Sequence, residues 1–142
     1  MPLHIPEMKV EGAPSKEQAR VFHQLLGAIE AVRITMEIIV DAYDSEEQAM
    51  GWYYYLEGTL HFPFTARCVA QRAISPLEPG EEVEVVGMAP AEECEHDMFV
   101  LIRWKQRQLA VPLMQLEGIG VDEETKQAIE DWHYWVNRGY EF

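Results

Sequence analysis

Apolar residues at Phe22, Leu25, Leu26, Ile29, Val32, Met36, Ile39, Val40 and Tyr43 recur at spacings of three and four. Such a stripe lies along one face of an α-helix. Ser15 and Gln18, just after Pro14, form a capping pair at its start. The spacing predicts a helix over 15–43, with the stripe on one face. Ile34, Met36, Ile38 and Val40 also alternate with Arg33, Thr35 and Glu37, as a half-buried strand would. The stripe is the longer pattern, so helix is preferred. Gly27 weakens its middle.

A second helix starts at Asp44 or Ser45. Asp44 pairs with Glu47 and Ser45 with Gln48 in overlapping capping boxes. Ala49, Met50, Trp52, Tyr53 and Leu56 give it an apolar face, and Gly58 is a candidate stop. The middle of the chain changes character. Phe64–Ala70, Glu82–Met88, Met98–Trp104 and Gln108–Leu113 are short runs rich in Val, Phe, Ile and Leu. Ser75-Pro76, Pro79-Gly80 and Ala89-Pro90 punctuate them as turns, and Trp104–Arg107 reads as a tight hairpin. Four or five antiparallel strands of this spacing predict a small bent sheet or barrel of SH3-like type. A third helix opens at Asp122 with Glu123 and Glu124 in its first turn. Its inner stripe is Ile129, Trp132, His133 and Val136, and Gly139 follows as a stop. The fold class is therefore α+β: N-terminal helices, an antiparallel sheet and a C-terminal helix. Pro2, Pro6, Gly12 and Pro14 make residues 1–14 an irregular arm, leaving 15–142 as one domain.

Charge changes the picture. Of 142 residues, 11 are Lys or Arg and 25 are Asp or Glu, a formal net charge of −14. This excess disfavours phosphate backbones and anionic membrane surfaces, so neither nucleic acid nor membrane is expected as a partner. The N-terminal sequence lacks the basic and apolar regions of a secretory signal. With only Cys68 and Cys94, the chain reads as cytoplasmic with reduced thiols. The expected partners are cations, calcium first, or a basic protein surface.

The acids are clustered. Residues 34–66 contain no Lys or Arg but carry Glu37, Asp41, Asp44, Glu46, Glu47 and Glu57. Residues 73–102 hold eight acids and no base. Like charges at this density cost folding free energy unless something neutralises them. Ca²⁺ would do so, because it takes six to eight oxygen ligands in flexible geometry. Asp41, Asp44, Glu46 and Glu47 straddle a junction where the carbonyls ending one helix meet the carboxylates opening the next. Asp122, Glu123 and Glu124 form a second candidate patch. Both groups are equally what solvated helix caps require. The spacing is not that of an EF-hand loop.

Other constellations are weaker. Cys94, His96 and Cys68 offer three soft ligands for zinc, but no further pair completes the set. Cys68 is expected buried on a strand and Cys94 exposed in an acidic loop. Trp52–Tyr55 and Trp132–Trp135 read as core aromatics, and His133 as a structural hydrogen-bonding residue. No nucleophile motif or phosphate loop is present, so no enzymatic role is expected.

Ile38-Ile39-Val40-Asp41-Ala42-Tyr43, the run from Glu46 to Glu57, and Phe62-Pro63-Phe64 with Ala66-Arg67-Cys68 resemble the CcbP-type calcium-binding proteins. These are small, acidic, cytoplasmic proteins first associated with cyanobacteria. Ala110–Leu113 with Leu116, and Asp131–Trp135, extend the likeness to most of the chain from about residue 33. The resemblance implies a calcium binder without an EF-hand, acting as a buffer or signalling component and not as an enzyme.

Overall fold

The computed structural model describes residues 16–39 and 44–139, without the side chains of Phe22 and His23. The expected arm 1–14 and the junction residues 40–43 lie outside them. Helix α1 runs Lys16–Arg33 and widens into a π-helical turn at Ile34–Ile38. Helix α2 follows at Ser45–Thr59. Gly58 does not stop it: the helix continues one residue further, and the extended Leu60 caps it.

The sheet comprises β1 (Phe64–Cys68), β2 (Glu82–Met88), β3 (Phe99–Trp104), β4 (Arg107–Pro112) and β5 (Leu116–Ile119). All pairings are antiparallel, in the order β4-β3-β2-β1-β5. The expected first strand ends two residues early, at Cys68. A 3₁₀ turn at Leu113–Gln115 separates β4 from β5. The β3–β4 turn is a two-residue loop with Lys105 and Gln106 both at positive φ, 46° and 69°. That left-handed pair matches the twist of the flanking strands. Helix α3 spans Glu123–Asn137, and Gly139 at φ 81° terminates it as expected.

The core lies between the sheet and the α2–α3 pair. Phe64, Ala66 and Cys68 alternate inward from β1, and Val83 and Val85 from β2. Trp52 of α2 is fully buried and meets Trp132 of α3 edge to face, ring centres 5.1 Å apart. Truncating such a side chain costs about 3–5 kcal/mol. Tyr54 departs from the aromatic-core expectation: it is 62% exposed, because Trp52, Tyr53 and Leu56 already occupy the inward face. Gly51 lets α2 cross the π-turn closely. A Cβ there would sit 2.6 Å from the Ile38 carbonyl oxygen, too near for any side chain.

Helix α1 corrects the sequence reading more deeply. Leu25, Leu26, Ile29, Val32 and Met36 are exposed by 46–66%. These large residues of the stripe face out. The packed face holds Gly27, Ala31, Ile34 and Ile38, nearly opposite on the helical wheel. Here the Gly27 carbonyl accepts a 2.8 Å bond from the Tyr134 hydroxyl, and Ile34 and Ile38 are buried. A Cβ at Gly27 would lie 3.6 Å from the Tyr134 hydroxyl, so α3 meets α1 closely at that residue. The alternative strand over 34–39 does not form.

Candidate metal centre

The start of α2 is built by Asp44. Its extended backbone (φ −133°, ψ 174°) puts it just before the first turn, and its Oδ1 accepts the Glu47 amide at 2.8 Å. This is the cap that the S/D-x-x-E pattern encodes. Glu46 and Glu47 lie exposed in the first turn. Asp41 falls outside the described residues. The cap uses one Asp44 oxygen, so the hard oxygen donors of this turn are not consumed by it.

A cavity of about 340 Å³ opens beside this turn, lined by Glu46, Met50 and Tyr53 from α2 and by Glu92, Glu95 and His96 from the β2–β3 loop. Sequence reasoning had noted the acids of that loop only as a charge block. Folding brings them next to Glu46, and no spacing signal foretold it. The Tyr53 hydroxyl donates to the Ala89 carbonyl at 2.9 Å and ties the loop to α2. The expectation of an exposed Cys94 fails: it is 2% exposed. The 3₁₀ turn Ala91–Glu93 directs it inward, and its Sγ accepts the Phe99 amide at 3.4 Å. Cysteine packs there as a small apolar residue. Burial pushes its thiol pKa up.

The start of α3 repeats the chemistry with a different outcome. Asp122 Oδ1 accepts the Thr125 amide at 2.8 Å, and its Oδ2 accepts the Thr125 hydroxyl at 3.2 Å. His61, from the loop after α2, places Nδ1 2.8 Å from Asp122 and Nε2 3.3 Å from Glu124. One imidazole thus bridges two of the three candidate ligands of this patch, while Glu123 stays exposed on the same turn. The Thr125 amide, more than the imidazole, holds the Asp122 carboxyl below its ordinary range. Neither patch gathers a full ligand set: among the described residues, no three His, Cys, Asp or Glu side chains are grouped to hold a metal ion. The zinc set is likewise not assembled.

Sequence reasoning missed Asp131. It is fully buried and accepts from Arg33, from the Tyr55 hydroxyl at 2.7 Å and from Gln127 at 2.8 Å. Burial and the bond to Asp131 push Tyr55 up to about 12. The signal was available: Ala128, Asp131 and Trp135 share one face of α3, so an acid there had to be paired. His133 is half-buried, with Nε2 3.5 Å from the Leu113 carbonyl, and burial lowers its pKa.

The chain is thus a small acidic α+β domain with surplus carboxylates at two helix starts. The family model named Calci_bind_CcbP, described as calcium binding, matches residues 32–136. The crystal structure of Anabaena CcbP shares 45% sequence identity with the chain at a TM-score of 0.72, covering 81% of this chain and 94% of that one. A calcium binding protein in the calcium-binding form matches at 45% identity and TM-score 0.72, covering 80% and 94%. The chain belongs to the CcbP calcium-binding family. No curated protein matches it in sequence. No helix among the described residues is long and apolar enough to cross a membrane.

Proposed function

We propose that this protein binds Ca²⁺ at the junction leading into α2, with Asp41, Asp44, Glu46 and Glu47 as ligands, and acts as a non-enzymatic cytoplasmic calcium buffer or signalling component. The observation that carries the choice of site is what each helix start faces. The α3 start has the His61 imidazole seated between Asp122 and Glu124, whereas the α2 start shares a cavity with Glu92, Glu95 and His96 of another element. Carboxylates gathered from two elements are what a hard divalent cation draws together. Family membership supports the ion. Asp122, Glu123 and Glu124 form a weaker second patch. Residues 15–142 act as one domain, and the strand order with its 3₁₀ turn favours the SH3-like description of the sheet.

A second reading is favoured by the same cavity. Its apolar floor of Met50 and Tyr53 under Glu46, Glu92 and Glu95 suits a basic side chain of a protein partner. Titration calorimetry separates the two. Calcium binding that magnesium does not reproduce at equal ionic strength, and that is lost in Asp41→Asn/Asp44→Asn, supports the calcium site. Unchanged affinity in that double variant removes the assignment.

A further inference from the structure

Nine large apolar residues are notably exposed among the described residues, and six of them, Val21, Leu25, Leu26, Ile29, Val32 and Met36, lie on one helix and its π-turn, 46–66% exposed. A patch of several hundred Å² on a soluble chain marks an interaction site. The patch starts well before residue 32, where the family match begins, so the helix extends beyond the shared domain. Its small-residue face already serves the fold, through Gly27 to Tyr134 and Arg33 to Asp131. The large-residue face is left open by the fold of this chain.

We propose that this face pairs with the same face of a second copy of the chain, as an antiparallel α1–α1′ dimer. Charge chooses the occupant. Two chains of −14 repel wherever their acidic surfaces meet. Helix α1 with its π-turn is different: Lys16, Arg20 and Arg33 balance Glu17, Glu30 and Glu37, and Val21, Leu25, Ile29, Val32 and Met36 run along one side without a charge between them on that face. It is a stretch along which two copies can meet without net repulsion. Charge also chooses the direction. The bonds of α1 to α3 fall at Gly27 and Arg33, so the acidic body is anchored to the C-terminal half of the helix. Antiparallel pairing sends the two bodies to opposite ends and opposes the helix dipoles favourably. A two-fold axis near Ile29 then sets Val21 beside Met36′ and Leu25 beside Val32′, larger against smaller. The interface is isologous, as a two-fold dimer requires. Two such patches together approach the roughly 1,200 Å² at which specific interfaces begin.

Sedimentation of the full chain over a range of concentrations tests this. Twice the monomer mass is expected, with Leu25→Glu/Ile29→Glu raising the dimer dissociation constant about a hundredfold. The unchanged circular dichroism of that variant shows that the fold survives. Cysteine placement then reads direction: under mild oxidation Ile29→Cys is expected to cross-link to its own copy and Val21→Cys is not. Cross-linking through both would overturn the antiparallel arrangement. A monomer at every concentration overturns the proposal. So does a monomer that dimerises only after residues 1–14 are removed, which would make that segment the occupant.

Discussion

The two acidic helix starts use nearly the same letters and end in different states. At α2, Asp44 caps the Glu47 amide, and more carboxylates gather across a cavity. At α3, Asp122 caps the Thr125 amide, and an imidazole from the preceding loop sits against it. Capping is local, so sequence encodes it in both places. Neutralisation is tertiary and depends on what the fold brings up opposite. A cluster of acids is therefore informative about metal only after its counter-charges have been located.

The largest effect that would break this comparison is on calcium affinity. Asp41→Asn/Asp44→Asn is expected to weaken binding at least about a hundredfold, because ligand charge sets affinity in oxygen sites. Asp122→Asn/Glu124→Gln is expected to leave it within about threefold of the parent. Calorimetry on the two double variants checks both, and equal losses would erase the distinction. Next comes stability. Calcium at a hundred times its Kd should add about 2.7 kcal/mol to unfolding, read as a raised thermal midpoint, with magnesium at matched ionic strength adding far less. A smaller effect follows from His61. His61→Gln removes the imidazole that bridges Asp122 and Glu124, so a second, weak calcium equivalent should appear in the titration. The stoichiometry of the parent would show one.

The smallest effect is on the acid limb of the stability curve. The Asp122 carboxyl in the fold is held below its ordinary value of 3.8, chiefly by the Thr125 amide. The folded state thus binds that proton less readily than the unfolded chain does. The resulting stabilisation is present above 3.8 and disappears as pH falls through the lowered value. Asp122→Asn keeps a capping oxygen but has no proton to take up. Its loss of stability on acidification, followed by denaturant unfolding, should be shallower than the parent's.

Much of the fold was legible because it is locally written. Asp44 and Asp122 mark helix starts through backbone hydrogen bonds within three residues, and the strands announce themselves by alternation around Val83, Val85, Val100 and Ile102. The site was half legible. Asp44, Glu46, Asp122 and Glu124 could be nominated from spacing, but Glu92, Glu95 and His61 reach them only through tertiary packing. Helix α1 misled for a different reason. Hydrophobic periodicity identifies a face that wants cover, not which element supplies it, and the bonds to α3 come instead from Gly27 and Arg33. Cys94 misled because neighbouring charge in sequence says little about one side chain turned inward by a 3₁₀ bend.

The bonds from Arg33 to Asp131 and from Tyr134 to the Gly27 carbonyl join residues 98 and 107 positions apart. They tie the first helix of the described residues to the last. Until α3 has been made, Arg33 and Gly27 lack these partners, and β1 also waits for its late neighbour β5. Such long closures are slow to form, because chain entropy is lost before the contacts return it. A product cut short before Asp131 thus lacks both the anchor for Arg33 and the partner of Gly27. Synthesis of α3, rather than of any earlier element, is the event that fixes α1 on the body of the protein.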